Sequence, residues 1–479
     1  MFQNKMPRYE ILSQEAMAVL DKGWRRLVSE MGVEFMSQKA LDLFAAAGQK
    51  VEGNLVKFDP EFILEQVAKA PSEFDVQARN PKNNVHIGGD SMVFVGNYGS
   101  PFVRDLDTRH VATMADYRNL VKLAQAFPLM DSAGHTICEP DDMSLDSRHI
   151  DMTYTLQTMT DKFYMGNVIS GPNAADVIKM SEILFGSREA IEKTPATVSL
   201  INCNSPLRWD DRMLDAQFEY SAANQAVVLT PFIMMGAMSP VTIPAALVQQ
   251  IAEALTGLAL SQLIRPGSPV IFGSFMSNVD MQSGSPQFGT PESAMGQLCT
   301  GQIARHFGLP FRSGGGLNAS QTVDAQAGYE SFNTMMATFL SGTNYVLHAA
   351  GWLEGGLVAS FEKFVMDNEV LGQLQTEFTP LHIDEESLAF DSHVEAGHGG
   401  HFLGTTHTLA NFRTAFYRPF LSSSDNFDRW SRNGAKPTNV RASEIAHKMI
   451  DEFEAPAMDE SIKAELDEWV AKRKKELDA

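Results

Sequence analysis

Histidines cluster in the segment Gly397–Thr408 (GHGGHFLGTTHT), where His398, His401 and His407 follow one another. Imidazole is a common metal ligand, so this cluster raises the question of a metal centre. The H-x2-H-x5-H spacing matches no standard zinc site, and we therefore expect no metal here. If the segment is a strand, alternation places His401 at its base and His407 at its top.

A second segment, Asn344–Ser360, joins a histidine to a tryptophan. His348 falls at the end of an apolar run, and Trp352 lies in the loop that follows. A tryptophan beside a histidine in a loop favours a binding site. Both residue types are also common in protein cores, so core packing stays open as an alternative.

Glycines and a hairpin supply two further candidates. Gly314–Gly316 follow an apolar run, but the Lys-Ser/Thr pair of a P-loop does not follow them, so we expect no phosphate-binding loop here. We expect instead that the glycines let the backbone approach a ligand or partner closely. The segment Val93–Thr108 carries Asn97 and Tyr98 where a hairpin could cover a site. An ordinary hairpin that packs on the rest of the fold is the alternative.

The composition excludes several classes of protein. The 479 residues are 44% hydrophobic with 30 Phe, which excludes intrinsic disorder. The chain has 38 Lys and Arg against 59 Asp and Glu, and the resulting charge of −21 repels nucleic acid and anionic membranes. Cys138, Cys203 and Cys299 form no disulfide framework. The start of the chain does not resemble a signal peptide, and the prediction is a cytoplasmic protein.

Periodicity divides the chain into three regions. Residues 1–128 predict a helical region with a small β-hairpin, because apolar residues first recur at helical spacing and then alternate between Asn84 and Asp105. Residues 129–420 predict a barrel of alternating strands and helices. Residues 421–479 predict a helical tail that packs on the barrel.

Eight short apolar runs alternate with amphipathic segments of helix length, which is the signature of a (β/α)8 TIM-type barrel. A doubly wound sheet is the competing fold, but no GxGxxG follows the first run. The predicted strands begin near Met130, Phe163, Thr197, Ala226, Pro269, Pro310, Asn344 and His401. The residues at their carboxyl ends are rich in Gly, Asn, Met, His and aromatic residues, which suits a large and weakly charged ligand better than a metal hydrolase.

Four motifs resemble the corrinoid-dependent trimethylamine methyltransferase family: DAQAGYES (Asp324–Ser331), LHAAGWLEGGL (Leu347–Leu357), GGHFLGTTHT (Gly399–Thr408) and FYRP (Phe416–Pro419). The resemblance covers nearly the whole chain. It implies a (β/α)8 barrel that transfers a methyl group from a methylated amine to the Co(I) of a separate corrinoid protein. Cobalamin would therefore be carried by the partner, with no cofactor or metal bound permanently to this chain.

The resemblance also limits which methyl donors are expected. The archaeal members carry pyrrolysine in the barrel, and this sequence has none. Members without it resemble the glycine betaine methyltransferase subgroup, so a quaternary amine is expected, with glycine betaine first. Trimethylamine, proline betaine or carnitine as donor, or a betaine-binding protein without turnover, are the alternatives. A homo-oligomer is expected from the family.

A quaternary amine needs aromatic faces around its cation and hydrogen-bond donors at its carboxylate. The substrate-binding candidates are Tyr98, Phe275, Gln321, His348, Trp352 and His407, with Phe232 as a further aromatic candidate. His348 and Asn97 are the catalytic candidates. Arg312 is an outside candidate for the carboxylate, because its position within a strand favours an internal salt bridge. The candidates for approach of the corrinoid protein are Gly314, Gly315, Gly316, Gly355 and Gly356.

Overall fold

The computed structural model describes residues 1–477. Its first third combines helices with several short strands, where the sequence predicts one small hairpin. The elements are β1 (Phe2–Gln3), α1 (Gln14–Arg26), β2 (Val33–Phe35), α2 (Gln38–Ala46), β3 (Lys50–Glu52), β4 (Leu55–Lys57), α3 (Pro60–Val67), β5 (Glu73–Val76), β6 (Val85–Gly88), β7 (Ser91–Phe94), β8 (Phe102–Asp105), β9 (Thr108–Val111) and α4 (Met114–Ala126).

Polar caps set the starts of these helices. Ser13 accepts a hydrogen bond from the amide of Ala16 before α1, and Asp59 caps α3, which has Pro60 in its first turn. Thr113 and Asp116 form a reciprocal capping box at the start of α4. Each cap satisfies backbone N–H groups that have no partner within the helix.

Strands and helices then alternate along the chain. They are α5 (Arg148–Met159), β10 (Tyr164–Met165), α6 (Gly171–Phe185), α7 (Arg188–Lys193), β11 (Thr197–Cys203), β12 (Arg208–Trp209), α8 (Asp211–Ala222), β13 (Ala226–Met235), α9 (Ile243–Ile264), β14 (Val270–Gly273), β15 (Phe275–Val279), β16 (Pro286–Gln287), α10 (Pro291–His306), β17 (Phe311–Gly314), α11 (Ala325–Ser341), β18 (Tyr345–Leu347), β19 (Trp352–Leu353), β20 (Val358–Ser360) and α12 (Phe361–Glu377). The helices predicted from periodicity across this region are present, with bounds that differ by a few residues.

A curved parallel sheet forms the centre of the molecule. Its strands follow the order β7, β18, β17, β14, β13, β11 and β10, with every neighbouring pair parallel, and β1 lies antiparallel on β7. After β14 and Ser274 the chain continues as β15, which pairs in parallel with Phe232–Met235 of β13. The fold is therefore an α/β fold with helices packed on the outside of this sheet.

Backbone hydrogen bonds also join the two ends of the sheet. The amide of Asp131 donates to the carbonyl of Phe94 at 2.8 Å, and the amide of Gly96 donates to the carbonyl of Ser132 at 3.1 Å. On the other side, the amide of Met165 donates to the carbonyl of Gly134 at 3.2 Å. The short segment 131–134 therefore lies between β7 and β10, where the first predicted strand was expected.

The strand predicted at His401 is wrong. Residues 401–404 contain no strand and lie exposed before a short helix, and the neighbour of β18 is β7 from the first third of the chain. Val93 and Phe94 of β7 pair with Tyr345 and Val346 of β18. A strand from the N-terminal region therefore occupies the position beside β18 where the eighth predicted strand was expected.

The last part of the chain is helical. Its elements are α13 (Phe390–Ala396), α14 (Thr406–Asn411), α15 (Phe427–Arg432), α16 (Thr438–Asp451) and α17 (Glu460–Leu477). In the core, Ala442 and Ala446 of α16 pack in one cluster with Phe361 and Phe364 of α12, and Leu466 of α17 packs with Ile150 of α5. The salt bridge between Lys474 and Asp151 adds a polar contact at 2.7 Å. The C-terminal helices therefore cover the helices outside the sheet.

Among residues 1–477, one helix is long and apolar enough to cross a membrane. It is α9, and 78% of its most apolar window is buried inside the protein. That burial explains its composition, because a helix covered by protein on all sides is apolar all round.

Candidate active site

A buried arginine without a carboxylate partner lies at the carboxyl end of the parallel sheet. Arg312, on β17, is 1% exposed, and its guanidinium Nη1 donates to the carbonyl of Ser274 at 2.9 Å. Its Nε has no hydrogen-bond partner. Among residues 1–477 the ion pairs include none that involves Arg312, so the expected internal salt bridge is wrong.

Burial lowers the pKa of Arg312 to about 9, while the nearby Tyr345 and Tyr98 act in the opposite direction. This value still leaves the guanidinium charged at neutral pH. A desolvated cation without a counter-charge is costly, so the position favours a ligand that brings an anion.

Aromatic rings surround the guanidinium. Its Cζ lies 5.3 Å from the ring centroid of Phe275, which stacks on Phe232 at 5.3 Å with an interplanar angle of 20°. Phe275 also contacts Trp352 at 5.8 Å between ring centroids. These rings come from two neighbouring strands, β13 and β15, and from β19. The structure thus brings together the predicted candidates Phe232, Phe275 and Trp352.

Trp352 is fixed on two sides. Its Nε1 donates to the carbonyl of Asn318 at 3.0 Å, and its ring meets Phe288 edge to face at 5.3 Å between centroids. Asn318 in turn donates to the carbonyl of Trp352 at 2.7 Å. The indole is therefore held rigidly, which suits a binding surface that must keep its shape.

His348 joins the same cluster. Its ring lies 4.5 Å from that of Trp352 and 5.4 Å from that of Phe275, and its Nδ1 is buried without a hydrogen-bond partner. Burial, and then the charge of Arg312, hold the pKa of His348 well below its usual range. The imidazole is therefore neutral at physiological pH. Its backbone has φ of +62°, a left-handed conformation that only a well-packed loop maintains in a residue other than glycine.

Asn97 and Tyr98 lie just beyond the end of β7. Asn97 is fully buried, and its amide nitrogen donates to Ser100 Oγ at 2.6 Å, while its Oδ1 has no partner. Tyr98 is half-buried, and desolvation raises the pKa of its phenol to about 12. Its phenol lies close enough to Arg312 for the two groups to interact electrostatically.

Two predicted residues lie elsewhere. Gln321 is exposed, and its amide donates to the carbonyl of Ala319 at 3.1 Å. His407 is exposed in α14 beside Glu385, Asp391 and Asn411, because the strand that was to hold it does not exist. The structure therefore does not bring His407 to the cluster around Arg312.

The predicted glycines pack against this chain's own atoms. A Cβ on Gly315 would lie 2.7 Å from Ala349 Cα and from the carbonyl oxygen of His348, and one on Gly356 would lie 2.4 Å from Trp352. Gly355 has φ of +62° and faces Phe288. Gly314 and Gly316 are buried beside Leu317 and Asp367. Gly315 therefore lets the loop after β17 approach the loop after β18 that carries His348.

A buried ion pair in α12 stabilises the loop between β18 and β19. Lys363 and Asp367 of α12 are 0% and 2% exposed and contact each other directly. Asp367 Oδ2 also accepts the amide of Gly351 at 2.9 Å, between His348 and Trp352 in the chain. Burial raises the pKa of Asp367, and the ammonium of Lys363 opposes that rise. The pair therefore positions the loop without touching the cluster.

Phe288 was not predicted as a site residue, and Arg312 was only an outside candidate for binding the carboxylate. Phe288 lies in an irregular segment after β16, where no periodicity marks it as buried. Arg312 was assigned to an internal salt bridge because charged residues within strands are usually paired. The signal available was the lack of clustered acidic residues at the predicted strand ends.

This arrangement offers a fixed cation, aromatic faces and a neutral imidazole, but no pair of acid and base. In the described part of the chain no group of three or more His, Cys, Asp or Glu side chains could hold a metal ion. The cluster is suited to binding a molecule with one negative and one positive charge.

The chain matches the family model "Trimethylamine methyltransferase (MTTB)" over residues 1–478. It is 42% identical to a glycine betaine methyltransferase from Desulfitobacterium hafniense, over 98% of both chains. It is 28% identical to a proline betaine:corrinoid methyltransferase from Eubacterium limosum, over 84% of this chain and 85% of that one. The solved structure of the Methanosarcina barkeri monomethylamine methyltransferase is similar in fold, with a TM-score of 0.56, 12% identity and coverage of 94% and 90%.

We predict that replacing Gly315 by Ala destabilises the protein by about 1–3 kcal/mol, because the new methyl group meets backbone atoms that cannot move aside. Thermal or denaturant unfolding measures the change. The control is Gly328→Ala in α11, where no atom lies within 4 Å of the new Cβ and helix propensity favours Ala. Equal stability of the two variants would contradict the close approach of the loops.

Proposed function

The chain belongs to the trimethylamine methyltransferase family and is a methyltransferase, and we propose that its methyl donor is a quaternary amine with a carboxylate, glycine betaine first among them. One observation carries the proposal: the buried guanidinium of Arg312 has no counter-charge and lies beside stacked aromatic rings. A betaine supplies the anion that the guanidinium lacks and the cation that the rings attract.

The spacing supports a short zwitterion. Arg312 Cζ and the ring centroid of Phe275 are 5.3 Å apart, so a carboxylate at the guanidinium and a quaternary ammonium at the rings can belong to one small zwitterion. In glycine betaine a single methylene group separates the carboxylate from the quaternary nitrogen.

Both contacts gain from burial. A quaternary ammonium over an aromatic face contributes about 0.5–2 kcal/mol per ring, and more when water is excluded. A guanidinium binds a carboxylate with two parallel hydrogen bonds, which are stronger than bonds between neutral groups. The unpaired Nε of Arg312 offers one of these donors.

The neutral state of His348 fits the same substrate. A protonated imidazole next to the rings would repel a quaternary ammonium, and the low pKa of His348 prevents this. The partnerless Nδ1 of His348 and Oδ1 of Asn97 remain available for polar contacts with the substrate. We propose that these two side chains orient the methyl group and do not transfer protons.

The chemistry needs no proton transfer. The methyl carbon of a quaternary ammonium is attacked in line, the C–N bond breaks, and its electron pair stays on nitrogen as a neutral tertiary amine, dimethylglycine. The Co(I) of a corrinoid protein supplies the two electrons for the new bond. The residues of this chain hold the donor, fix its orientation and exclude water.

Exposed apolar side chains support a protein partner at this end of the sheet. They are Leu145, Ile169, Val241, Met281 and Leu357, each in a loop after a different strand or strand segment and each 47–72% exposed. Such side chains around a site entrance are typical of a docking surface. We propose that the corrinoid protein docks here, with Gly355 and Gly356 near the entrance.

We also propose that the sheet closes as a (β/α)8 barrel, with segment 131–134 as the strand between β7 and β10. Domain boundaries near residues 128 and 420 are then approximate, since β7 contributes to the barrel. A cytoplasmic location is proposed with the same reaction, because Co(I) needs a reducing environment.

Trimethylamine is the second candidate donor, since relatives with that name are 25–27% identical to this chain. It has no carboxylate, so it would leave Arg312 uncompensated. A betaine-binding protein without turnover does not fit a chain that is a methyltransferase.

The direct test mixes the protein with cob(I)alamin or a reduced corrinoid protein and follows methylation of cobalt by absorbance. Glycine betaine, proline betaine, carnitine and trimethylamine are added in separate reactions. We expect the fastest conversion with glycine betaine, with dimethylglycine as the product by mass spectrometry. Conversion with trimethylamine alone, or with no donor at all, would overturn the proposal.

Replacing Arg312 by Gln is predicted to weaken glycine betaine binding by about 10- to 100-fold, because a carboxylate loses a charged hydrogen-bond partner worth about 1.5–3 kcal/mol. Calorimetric titration measures the affinity. Choline, which has the ammonium and no carboxylate, should bind both proteins equally or prefer the variant. Arg79→Gln is the matched control, since Arg79 donates to the carbonyls of Thr160 and Pro456. A normal affinity in Arg312→Gln would refute the assignment of the carboxylate.

Betaine affinity is predicted to be constant between about pH 6 and pH 8. His348 stays neutral across this range because its pKa lies well below the usual value near 6.5, and Arg312, with a pKa of about 9, stays charged. Titrations at several pH values measure the dependence. An affinity that falls steeply as the pH drops from 7 to 6 would mean that an imidazole in the site becomes protonated.

A further inference from the structure

Residues 354–357, here called the turn, join β19, which carries Trp352, to β20. Their backbone is left-handed at three successive residues, with φ of +50° at Glu354, +62° at Gly355 and +94° at Gly356. Glycine adopts this conformation freely, whereas a glutamate is strained in it. Glu354 therefore keeps its place only because contacts with other parts of the chain compensate the strain.

The carboxylate of Glu354 makes two of these contacts, each with an arginine. Arg109 Nε donates to both carboxylate oxygens, at 3.1 and 3.2 Å, and Arg104 Nη2 lies 3.8 Å from Oε1. The side chains of Glu354 and Arg104 are each 13% exposed, so water and salt screen these ion pairs less than pairs on the open surface. Within residues 1–477 the two arginines pair with no other carboxylate.

Both arginines belong to the hairpin of β8 and β9, where they stand opposite each other in the register. Like charges at directly opposite positions of a hairpin repel each other. The guanidinium of Arg109 also lies 3.8 Å from the ring centroid of Phe102, which fixes its position on the hairpin. Glu354 therefore supplies the negative charge that this hairpin needs, and the same ion pairs attach the turn to the hairpin.

Backbone contacts carry the position of the turn to Trp352. The amide of Gly355 donates to the carbonyl of Asn318 at 3.1 Å, and the same carbonyl accepts the indole N–H of Trp352. A Cβ on Gly356 would overlap the ring of Trp352, so the backbone of the turn packs directly on the indole. A shift of the turn therefore moves the surface that supports Trp352.

Two hydrogen bonds link the turn to Asn97 as well. Ser100 Oγ donates to the carbonyl of Gly356 at 2.7 Å and accepts the side-chain amide of Asn97 at 2.6 Å. Ser100 and Asn97 are both fully buried, so bulk water does not compete for these bonds. The bonds set the direction of Asn97 Oδ1, which has no partner of its own. The turn thus contacts Trp352 directly and Asn97 through one hydroxyl group.

We propose that Glu354 is a positioning residue of the site, and that its ion pair with Arg109 holds the turn where Trp352 and Asn97 face the methyl donor. The identity of that donor rests on the function proposed above, whereas the link from Glu354 to the two side chains is a property of this chain alone. Glu354 acts through Trp352 and Asn97, since the arginines neutralise its own charge. A reaction without proton transfer depends on such positioning, because its rate follows the orientation of the methyl group.

The first test needs no donor. Glu354→Gln keeps the length of the side chain and removes its charge. Hydrogen exchange followed by mass spectrometry is expected to show that the backbone amides of the turn exchange about tenfold faster than in the wild type, because the turn opens more often. The control is Glu192→Gln in α7, which also removes a carboxylate held by two arginines, Arg188 and Arg265, and leaves this exchange unchanged. Unchanged exchange in Glu354→Gln would overturn the proposal.

The second test measures the effect on the reaction. Glu354→Gln and Arg109→Gln are each expected to weaken glycine betaine binding about three- to tenfold and to slow cobalt methylation at saturating donor about tenfold, with unchanged binding stoichiometry. The double variant is expected to be no worse than either single variant, since both remove the same ion pair. Arg109→Lys, which keeps the charge, is expected to lose less than Arg109→Gln.

These readouts separate positioning from a general loss of folded protein. Partial unfolding alone would lower the binding stoichiometry and leave the Kd unchanged, and that result for Glu354→Gln would contradict a positioning role. A wild-type Kd and rate in the same variant would also contradict it. If the wild type binds no glycine betaine, the proposed donor is wrong, and the exchange experiment alone then decides the role of Glu354.

Discussion

A guanidinium taken out of water without a carboxylate beside it is costly to a folded protein, and Arg312 is in that position. The protein offers it one carbonyl, from Ser274, and the face of Phe275. These groups stabilise the charge only in part. We propose that the missing anion arrives with the substrate and that the surrounding rings select a substrate whose other end is a cation.

The loops around Arg312 are built to keep that geometry. Asp367 holds the amide of Gly351 between His348 and Trp352, and Lys363 compensates the buried carboxylate. Gly315 allows the loop after β17 to touch the loop after β18 without a side chain between them. Rigid support of this kind matters in a reaction with no general base, because rate then depends on the orientation of the methyl group and on the exclusion of water.

The alternation of apolar runs and helices predicted six of the eight strand positions, because buried parallel strands leave a clear pattern in the sequence. The prediction of the last strand was wrong because the apolar run at His401 resembles a strand. The strand that pairs with β18 is β7, which was predicted to belong to a separate hairpin. His407 was misplaced for the same reason. The aromatic candidates on strands were brought together, but Phe288 lies in irregular backbone, which depends on tertiary contacts that no local pattern encodes.

The central claim is that one site recognises both charges of a betaine. The most direct measurement compares the affinities of glycine betaine, choline and 3,3-dimethylbutanoate, the last being the isostere of glycine betaine with carbon in place of nitrogen. The account predicts that glycine betaine binds at least about tenfold more tightly than either analogue, since each loses one charged contact worth more than about 1 kcal/mol. Equal binding of glycine betaine and 3,3-dimethylbutanoate would show that the rings do not recognise a cation. Equal binding of glycine betaine and choline would show that Arg312 does not hold a carboxylate.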